Sequence, residues 1–568
     1  MIFIVLLFVS SCRTALANGG APTLVFLPDE DIAAQNPLLS SVIDLLGLQY
    51  LMLNQSEYNH SLSYWTIRPE HIGKIRFVWT ELDYIHANQY FILSKTTFIQ
   101  LNRIPGFDIL TNDDKFTQHL KRMQQRYGRA LFQYVPHYFL LPRDYKQYTV
   151  THTQIKKLVQ YEEKRTSDPL AYQRFIARTL PSSTSEATRY NSVQILTNQK
   201  EVKQFLAQHD KQLVEIRQYI EPFLSEGHKF NFGVYVAVPS INPLRIYSHR
   251  IHLIKIASKE YPNMMQPNTT PSAYTFDNYT APWDFPPLMR YFVEFPSPNS
   301  EGSDAWEILK RYMRSYGIDV NHMEEEITDA IVKSVLSVKT RWEKEIRNVA
   351  GEAIHSNQFI QLFQFDFEID DIGRPWLIQV HSNPTLKPVE SILSTDEALR
   401  KNVLLDFLKL ANVAVHPDRV YETVKRIDKR YCSVLCGEKR LWDRNCWFCP
   451  DVHNQSHTLY EFSQEYTRRG RFDLIFPSLK KEYDWIEGAI SNDLTRQDLQ
   501  SLFNTSMDFT TRFEGSLSST FCTYRAHCSD HGDCVNGVCV CDEEYEGRTC
   551  YILRDIGLER MRKPEKSF

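Results

Sequence analysis

The sequence predicts a mixed α+β protein that ends in a small disulfide-rich module. Residues 234–238 form a short, apolar, β-rich run, whereas residues 327–338 and 399–410 carry helical periodicity, so strands and helices are expected to share a layered core. Of the 11 cysteines, only Cys12 lies before Cys432. Because 568 residues allow about three to five domains, the cysteine-rich end is expected to be built separately from the rest.

The charge balance and the glycine content narrow the range of functions. With 65 basic and 69 acidic side chains, the net charge is −4, which gives no electrostatic footprint for nucleic acid. There are only 20 glycines, and none lies between Gly128 and Gly227. A glycine-rich loop that cradles phosphates is therefore not expected in that stretch.

The N-terminus has the pattern of a secretory signal peptide over residues 1–17. A run of about ten apolar residues leads to Ala15-Leu16-Ala17, the small-x-small pattern of a cleavage site. Crossing a bilayer needs about 20 apolar residues, so no membrane span is expected, and a buried N-terminal strand is the alternative. We expect a secreted protein or one in the lumen of the secretory pathway. Six N-x-S/T sequons agree with a glycoprotein: Asn54, Asn59, Asn268, Asn278, Asn454 and Asn504.

The last six cysteines form a cluster with the spacing C-x5-C-x5-C-x4-C-x-C-x8-C. A unit of about 30 residues buries too little apolar surface to fold alone, and an oxidising compartment favours disulfides over a metal. Spacing alone leaves 15 connectivities open. The pattern resembles an EGF-like domain over residues 520–552, followed by a tail over 553–568. That resemblance implies three disulfides: Cys522–Cys534, Cys528–Cys539 and Cys541–Cys550.

A second cysteine group lies upstream, within a segment (residues 416–515) that carries no motif we recognise. Its spacing is C-x3-C-x9-C-x2-C, and its members are Cys432, Cys436, Cys446 and Cys449. In a cytosolic protein this spacing would indicate tetrahedral zinc. After a signal peptide, two disulfides are favoured and zinc is the alternative. We treat the segment as a linker.

Short strings in the cysteine-free middle of the chain carry a family resemblance. In order they are NRIPG at 102–106, LTN at 110–112, LKRM at 120–123, YVP at 134–136, FLLP at 139–142, QYIEP at 218–222, GHKF at 227–230, PLRIY at 243–247, FQFD at 363–366 and WLIQVHSNP at 376–384. Together they resemble the tubulin tyrosine ligase-like family of polyglutamylases and polyglycylases. The resemblance covers about residues 75–415 of a domain predicted over 18–415.

The resemblance implies an ATP-grasp fold preceded by a small N-terminal lobe. In that fold ATP lies between two α+β lobes and Mg²⁺ bridges its phosphates. A carboxylate, on tubulin tails in most of the family, becomes an acyl phosphate that the amine of an amino acid attacks. Such a site needs hard oxygen ligands for Mg²⁺ and several cations around the phosphates. ATP and Mg²⁺ are therefore the cofactors expected of an active enzyme.

The family's metal ligands lie in an F-G-x-D string and in a later E-V-N string. The matching positions in this chain are Asp366, Gln379 and His381. Side chains alternate along a strand, so the second and third positions share one face. Gln379 keeps an oxygen but loses the charge, and the imidazole of His381 suits Zn²⁺ or Cu²⁺ better than Mg²⁺. The resemblance therefore implies a degenerate metal site.

Two further motifs supply the cations expected around the phosphates. The family's K-F-D-x-R strand reads Lys229-Phe-Asn231-Phe-Gly233, which keeps the lysine but loses the guanidinium. The family's R-E-G-x-x-R reads Arg250-Ile-His-Leu-Ile-Lys255, which keeps both charges but only one arginine. Lys229, Arg250 and Lys255 are the candidate catalytic residues of this degenerate site.

The glycine-rich flap is the clearest departure from the family. Its W-I-x-K-P string matches the segment around Arg178, which can supply the positive charge of the lysine. Its G-x-G-I string matches a segment in which Tyr190 and Ser192 replace the glycines, so Cβ atoms stand where the backbone would approach the phosphates. Four residues are candidate nucleotide contacts, two of them in the segment that matches the adenine side: Tyr219 and Ile220, with Arg178 and Lys229.

These departures decide which functions we expect. Losing one well-placed donor usually costs about 2.7–4 kcal/mol of transition-state stabilisation, and several elements have changed together. We expect a secreted or lumenal pseudoenzyme or binding protein with an unknown extracellular or lumenal protein partner. The alternative is a divergent ATP-dependent ligase that adds glutamate or glycine to protein carboxylates, with tubulin as acceptor only if a cytosolic form exists. Nucleotide binding without catalysis is intermediate.

Overall fold

The computed structural model describes residues 23–26, 37–46, 48–52, 58–59, 64–65, 75–79, 100–162, 174–179, 194–196, 198–209, 212–261, 276, 279–288, 305–350, 358–382, 384, 395–413, 465, 468–477, 483, 532–535, 538–541, 545–546 and 552–553. Five predicted features lie wholly or partly outside these residues: the signal peptide, the flap positions Tyr190 and Ser192, the four cysteines from Cys432 to Cys449, all the sequons except Asn59, and the EGF-type cysteines Cys522, Cys528 and Cys550. No helix within the described ranges has the length and the apolar composition that crossing a membrane requires.

The helices of the described residues are numbered in chain order. They are α1 (Pro37–Leu45), α2 (Asp108–Thr111), α3 (Asp113–Tyr127), α4 (Tyr145–Glu162), α5 (Gln199–Gln208), α6 (Ala305–Ser315), α7 (Val320–Ala350) and α8 (Thr395–Leu410). Local sequence accounts for the start of α3, where the side chain of Asn112 accepts a hydrogen bond from the backbone N–H of Lys115. Asp113 and Asp114 in its first turn complement the positive end of the helix dipole.

The strands are numbered in the same way. They are β1 (Thr23–Phe26), β2 (Gln49–Met52), β3 (Tyr58–Asn59), β4 (Tyr64–Trp65), β5 (Ile75–Trp79), β6 (Gln100–Leu101), β7 (Tyr138–Leu141), β8 (Phe175–Thr179), β9 (Gln194–Leu196), β10 (Val214–Gln218), β11 (Leu224–Ser225), β12 (His228–Ile241), β13 (Leu244–Ala257), β14 (Tyr279–Thr280), β15 (Gln361–Ile369), β16 (Pro375–Ser382), β17 (Phe472–Phe476), β18 (Gly532–Val535), β19 (Val538–Cys541), β20 (Tyr545–Glu546) and β21 (Ile552–Leu553).

A seven-stranded antiparallel sheet organises the described part of the chain. Its main order is β14-β13-β12-β15-β16, with β11 paired to β12 and β17 paired to β13. The register places Gly233 opposite Asp366, and Asp366 opposite Gln379. Directly opposed residues of an antiparallel pair present their side chains on the same face. This register therefore gathers predicted site residues from distant parts of the sequence on one face.

The other face of this sheet is apolar. Phe230, Phe232 and Phe365 alternate with the polar positions and pack against α6 and α7, where Trp306 and Trp342 are buried. Burying an aromatic or aliphatic side chain of this size contributes about 1.5–3 kcal/mol, so this layer supplies much of the stability of the domain. The helical periodicity predicted over 327–338 lies within α7, and that over 399–410 lies within α8.

A four-stranded antiparallel sheet, in the order β7-β10-β8-β9, forms the second layer. Phe139, Phe175 and Ile216 point to one side of it and pack with residues of α4 and α5. Alternation along β10 places Arg217 on the opposite side, where its guanidinium donates a hydrogen bond to the carbonyl oxygen of Ile378 in β16. The polar faces of the two sheets therefore face each other across a cleft.

A parallel sheet in the order β2-β1-β5-β6 precedes these layers. In β5 Phe77, Val78 and Trp79 are buried. The sheet is joined to the larger one because Leu101 exchanges backbone hydrogen bonds with Gln358 and Ile360, at 2.7 and 2.9 Å. The mixed α+β class is confirmed, and the small N-terminal lobe stays a prediction.

Part of the segment that sequence analysis treats as a linker belongs to the large sheet. Strand β17 pairs with β13, and its Phe472 and Phe476 are buried. Just before it, the buried carboxylate of Glu465 accepts two hydrogen bonds from Arg245, at 2.8 and 2.9 Å. The sequence gives no hint of this pairing because β13 and β17 lie more than 200 residues apart.

The C-terminal residues that the structure describes form two short antiparallel pairs, β18 with β19 and β20 with β21. In the first pair Cys534 is opposite Cys539, and Cys541 is opposite Gly532. Only the backbone of these strands is described. The EGF-like disulfide pairs therefore stay predictions.

Candidate functional site

Asp366 lies at the centre of the polar face of the large sheet. One of its carboxylate oxygens, Oδ1, accepts a hydrogen bond of 2.6 Å from Nε2 of Gln364. The other, Oδ2, lies 3.2 Å from Nε2 of His381 and 4.0 Å from Nζ of Lys255. The structure thus brings two predicted site residues, Lys255 from β13 and His381 from β16, to the predicted carboxylate on β15.

This environment keeps Asp366 ionised. Burial by itself would raise the pKa of the carboxyl group, because a buried carboxylate loses its hydration. The positive charge of Lys255, then His381 and the hydrogen bond from Gln364, outweigh that effect and hold the pKa at about 2. At neutral pH Asp366 is therefore a fixed negative charge that can act as a hard oxygen donor.

Lys229 occupies a second polar centre on the same face. Its Nζ lies 2.9 Å from Oε1 of Glu368, and both side chains are nearly buried, at 4% and 11% exposed. The ammonium group also lies 5.2 Å from the ring centroid of Tyr219 and 5.7 Å from that of Phe276, within range of cation–π attraction. The lysine that the family resemblance assigns to a phosphate is thus already paired with an internal carboxylate.

Tyr219 joins the two sheets beside Lys229. Its hydroxyl group lies 2.8 Å from that of Tyr261, which donates a 3.2 Å hydrogen bond to Glu221. Glu221 in turn accepts a 2.7 Å hydrogen bond from Arg174. Ile220, the other predicted adenine-side residue, is buried. These bonds hold the short segment that leads from β10 to the large sheet in one position. That segment lies at the base of the cleft.

Arg178 lies on the second sheet and is also paired. Its guanidinium is 2.9 Å from Glu215 on the neighbouring strand and 3.7 Å from Asp113 at the start of α3. Asp113 and Glu215 both contact Arg217, at 2.7 and 3.3 Å. Burial raises the pKa of Asp113, and Glu215 adds to this effect while the arginines oppose it. Two arginines and two carboxylates thus form a balanced network that ties α3 to the second sheet.

Two predicted site residues, Gln379 and Arg250, are not among the side chains that contact the carboxylate of Asp366 in the described residues. Gln379 is opposite Asp366 in the register and lines a small cavity with Tyr138 and Arg217, so it faces the cleft. Arg250 is 54% exposed and pairs with Asp473 of β17 at 2.7 Å. The structure does not bring Arg250 to the polar face, because it lies an odd number of positions from Lys255 in β13 and alternation therefore puts the two side chains on opposite faces.

Sequence reasoning missed the residues that complete these pairs. Glu368 follows Asp366 by two positions in a strand, which puts both on one face. That spacing is a local signal that could have identified Glu368. Gln364, two positions before Asp366, carries the same signal. Glu215 carries the same signal toward Arg217, two positions along β10, whereas Asp113 had no such signal because its partners lie on other elements.

The donors around Asp366 fit a divalent cation only in part. Within the described residues, no group of three or more His, Cys, Asp or Glu side chains is arranged to hold a metal ion. Asp366 and the amide oxygen of Gln379 are hard donors that could hold one, while the imidazole of His381 suits Zn²⁺ or Cu²⁺ better than Mg²⁺. Lys229 and Lys255 on the large sheet and Arg178 on the second sheet could meet an anionic ligand only by exchanging their internal carboxylates for it.

Comparisons with known proteins agree with the strings in the sequence. A family model described as the tubulin-tyrosine ligase family matches residues 92–422. A tubulin monoglutamylase of Homo sapiens is 22% identical over 426 residues, which are 67% of this chain and 31% of the human protein. A tubulin polyglutamylase of Caenorhabditis elegans is 25% identical over 333 residues, which are 57% of this chain and 42% of that protein.

The matched region thus spans less than half the length of these two relatives. Among solved structures, the C-terminal domain of Pby1 from K. lactis, an ATP-grasp enzyme, shares 13% identity with a TM-score of 0.38, covering 68% of this chain and 92% of that domain. The family model alone covers more than half of the 568 residues. The chain therefore belongs to the tubulin-tyrosine ligase family, as its sequence strings predict.

Proposed function

We propose that this protein is a divergent ATP-dependent amino-acid ligase of the glutamylase type, built on an ATP-grasp fold, that adds glutamate to carboxylates of a protein acceptor. Family membership and the glutamylase names of the relatives support this proposal. The observation that carries it is the polar face around Asp366, where an ionised carboxylate lies among Lys229, Lys255 and His381 on the cleft side of the large sheet.

Each residue has a defined part in this proposal. ATP with a divalent cation would supply the phosphoryl group that activates the acceptor carboxylate. Asp366 and Gln379 would hold the cation through oxygen atoms, and Lys229 and Lys255 would neutralise phosphate charge. Arg178, on the second sheet, would also neutralise phosphate charge. The chain's share is to position charged groups and neutralise charge, without covalent participation.

Transfer of labelled glutamate tests the proposal. The full chain would be incubated with ATP, Mg²⁺ or Mn²⁺, labelled glutamate and tubulin or a glutamate-rich peptide. Asp366→Asn is expected to lower incorporation at least a hundredfold, because the hard negative donor is lost while the shape is kept. Asp473→Asn, an exposed carboxylate outside the polar face, is the matched control and should retain activity. If wild type and Asp366→Asn incorporate labelled glutamate equally, at background level, the ligase proposal is wrong.

A second candidate function is a binding protein without catalysis, and one observation favours it. Each described cation expected to meet phosphate is already paired inside the chain: Lys229 with Glu368, Lys255 with Asp366, and Arg178 with Glu215. In this proposal the domain is a secreted or lumenal pseudoenzyme, and an EGF-like module contacts an extracellular or lumenal protein. A thermal shift assay with ATP and a divalent cation distinguishes a domain that binds the nucleotide from one that does not. A ligand at 100 times its Kd adds about 2.7 kcal/mol to the free energy of unfolding.

The compartment is a separate proposal with its own test. We place the protein in the secretory pathway because of the apolar N-terminus and the late cysteines. Mass spectrometry of the protein expressed in animal cells is expected to show cleavage after Ala17, the three EGF-type disulfides, and glycans on sequons. An intact N-terminus with reduced cysteines would contradict this location and would remove the main objection to tubulin as the acceptor.

A further inference from the structure

Gly233 lies in the middle of β12 for reasons of space. The described glycines with positive φ do not include it, so its backbone does not demand glycine. A Cβ atom on Gly233 would lie 2.6 Å from Nε2 of Gln364 and 2.8 Å from Oδ1 of Asp366. Real Cβ atoms do not approach polar atoms so closely. Any larger residue at this position would therefore force the side chains of β15 to move.

The space beside Gly233 is filled by the amide of Gln364. This side chain is buried, and its Nε2 donates the 2.6 Å hydrogen bond to Oδ1 of Asp366. The other oxygen, Oδ2, faces His381 at 3.2 Å. Each oxygen of the carboxylate thus has its own partner, and the two partners together set the orientation of the carboxylate plane.

Gly233 and Asp366 are direct cross-strand partners, and Gln364 is two residues from Asp366 on the same face. A large side chain on β12 and a large one on β15 compete for one space, so only one of the two positions can be large.

We propose that Gln364 is a positioning residue for Asp366 and that Gly233 provides the space it needs. The amide occupies Oδ1, so a cation would bind at Oδ2 and displace its contact with His381. The two positions form one coupled unit, so the effect of a change at one depends on the residue at the other. The role in cation binding rests on the proposed function of Asp366, whereas the coupling between Gly233 and Gln364 is independent of any activity.

A double-mutant cycle on the full chain tests the coupling. Gly233→Ala alone is expected to lower the unfolding midpoint by several degrees, because its Cβ collides with the Gln364 amide. In the Gln364→Gly background the same change should cost less, since both contacts with the Gln364 amide are gone and only the 2.8 Å approach to Oδ1 of Asp366 remains. Midpoint shifts that simply add in the double variant would overturn the coupling.

Binding of Mn²⁺, followed by electron paramagnetic resonance, tests the positioning role. Gln364→Met keeps the volume of the side chain but removes the donor, so it is expected to lower the unfolding midpoint modestly and to weaken Mn²⁺ binding at least threefold at temperatures where the chain stays folded. Asp366→Asn is the reference for complete loss. If Gln364→Met binds Mn²⁺ as the wild type does while Asp366→Asn does not, the positioning role is wrong but the metal role of Asp366 survives.

The remaining outcomes also separate the two proposals. If wild type and Asp366→Asn bind Mn²⁺ equally, or neither binds it, the cation role of Asp366 fails and the positioning role fails with it. The double-mutant cycle still decides whether Gly233 and Gln364 share one space. Loss of Mn²⁺ binding in Gln364→Met that merely tracks a large fall in the midpoint would indicate a structural role instead, and would overturn positioning.

Discussion

Glu368 is expected to control access of anions to Lys229, and Glu368→Gln tests this directly. The variant keeps the size of the side chain but removes the charge that lies 2.9 Å from Nζ of Lys229. Both side chains are nearly buried, so the ammonium group would be left without a counter-ion in a poorly hydrated place. Breaking a buried pair by removing one partner typically costs about 3–5 kcal/mol.

An anion bound at Lys229 would recover part of that loss. If an ATP phosphate recovers about 1.4–2.8 kcal/mol, the affinity for ATP rises about ten- to a hundredfold. Two measurements follow for Glu368→Gln: the unfolding midpoint without ligand should fall, and the midpoint shift produced by ATP should grow. Isothermal titration calorimetry with ATP gives the affinity itself.

Glu307→Gln is the matched control for this change. Glu307 also forms a short ion pair with a lysine, 2.6 Å from Nζ of Lys310, but its side chain is 55% exposed. Lys310 keeps a second partner, Glu324, at 2.7 Å. The Glu307→Gln control is therefore expected to change the free energy of unfolding by less than about 1 kcal/mol. It should leave the affinity for ATP unchanged. Unchanged stability and unchanged ATP affinity in Glu368→Gln would refute the reasoning.

Three further predictions concern the packing of β17, and of the segment before it, against β13 and α8. Because Arg245 holds buried Glu465 with two hydrogen bonds, Arg245→Met should cost about 3–5 kcal/mol in urea unfolding, and adding Glu465→Met should recover most of it; equal losses in single and double variants would contradict this. Burial lowers the pKa of His249, so the unfolded chain takes up a proton that the folded state resists. The free energy of unfolding should therefore decrease as the pH is lowered below about 6.5, by up to about 1.4 kcal/mol per pH unit. A free energy of unfolding that does not change with pH would contradict this prediction. Gly470 has a φ of +56°, and a Cβ there would collide with the carboxylate of Asp406, so Gly470→Ala should lower the unfolding midpoint by several degrees in calorimetry; an unchanged midpoint would exclude that strain.

Burial is the main cause of the lowered pKa of His249, and the carboxylate of Asp406 opposes it. Its Nδ1 accepts a 3.1 Å hydrogen bond from the backbone N–H of Ile251, so that nitrogen carries no proton. Its Nε2 lies 3.2 Å from Oδ2 of Asp406 and can donate to it. The charge of Arg471 further disfavours a second proton on the ring. The link between β13, α8 and the segment before β17 is therefore expected to weaken on acidification.

Some of the candidate site could be predicted from the sequence, and some could not. Asp366 and Lys229 lie in strings long enough to be aligned with the family, and the structure places both on the polar face. Arg250 was predicted by the same alignment but pairs with Asp473 on an exposed surface. The difference is that β17, which carries Asp473, lies outside the matched residues 92–422. An alignment cannot reveal partners supplied by a segment that it does not cover.

The sequence by itself determined the family, the mixed α+β class and the positions of Asp366 and Lys229, because these depend on short strings and on local periodicity. Only the tertiary structure decided that Lys229 is paired with Glu368, and that Gly233 leaves room for Gln364. These facts depend on the register between strands, which brings residues more than 100 positions apart into contact. No local pattern encodes that register. Which charged side chains pair with each other in the cleft could therefore be determined only from the folded structure.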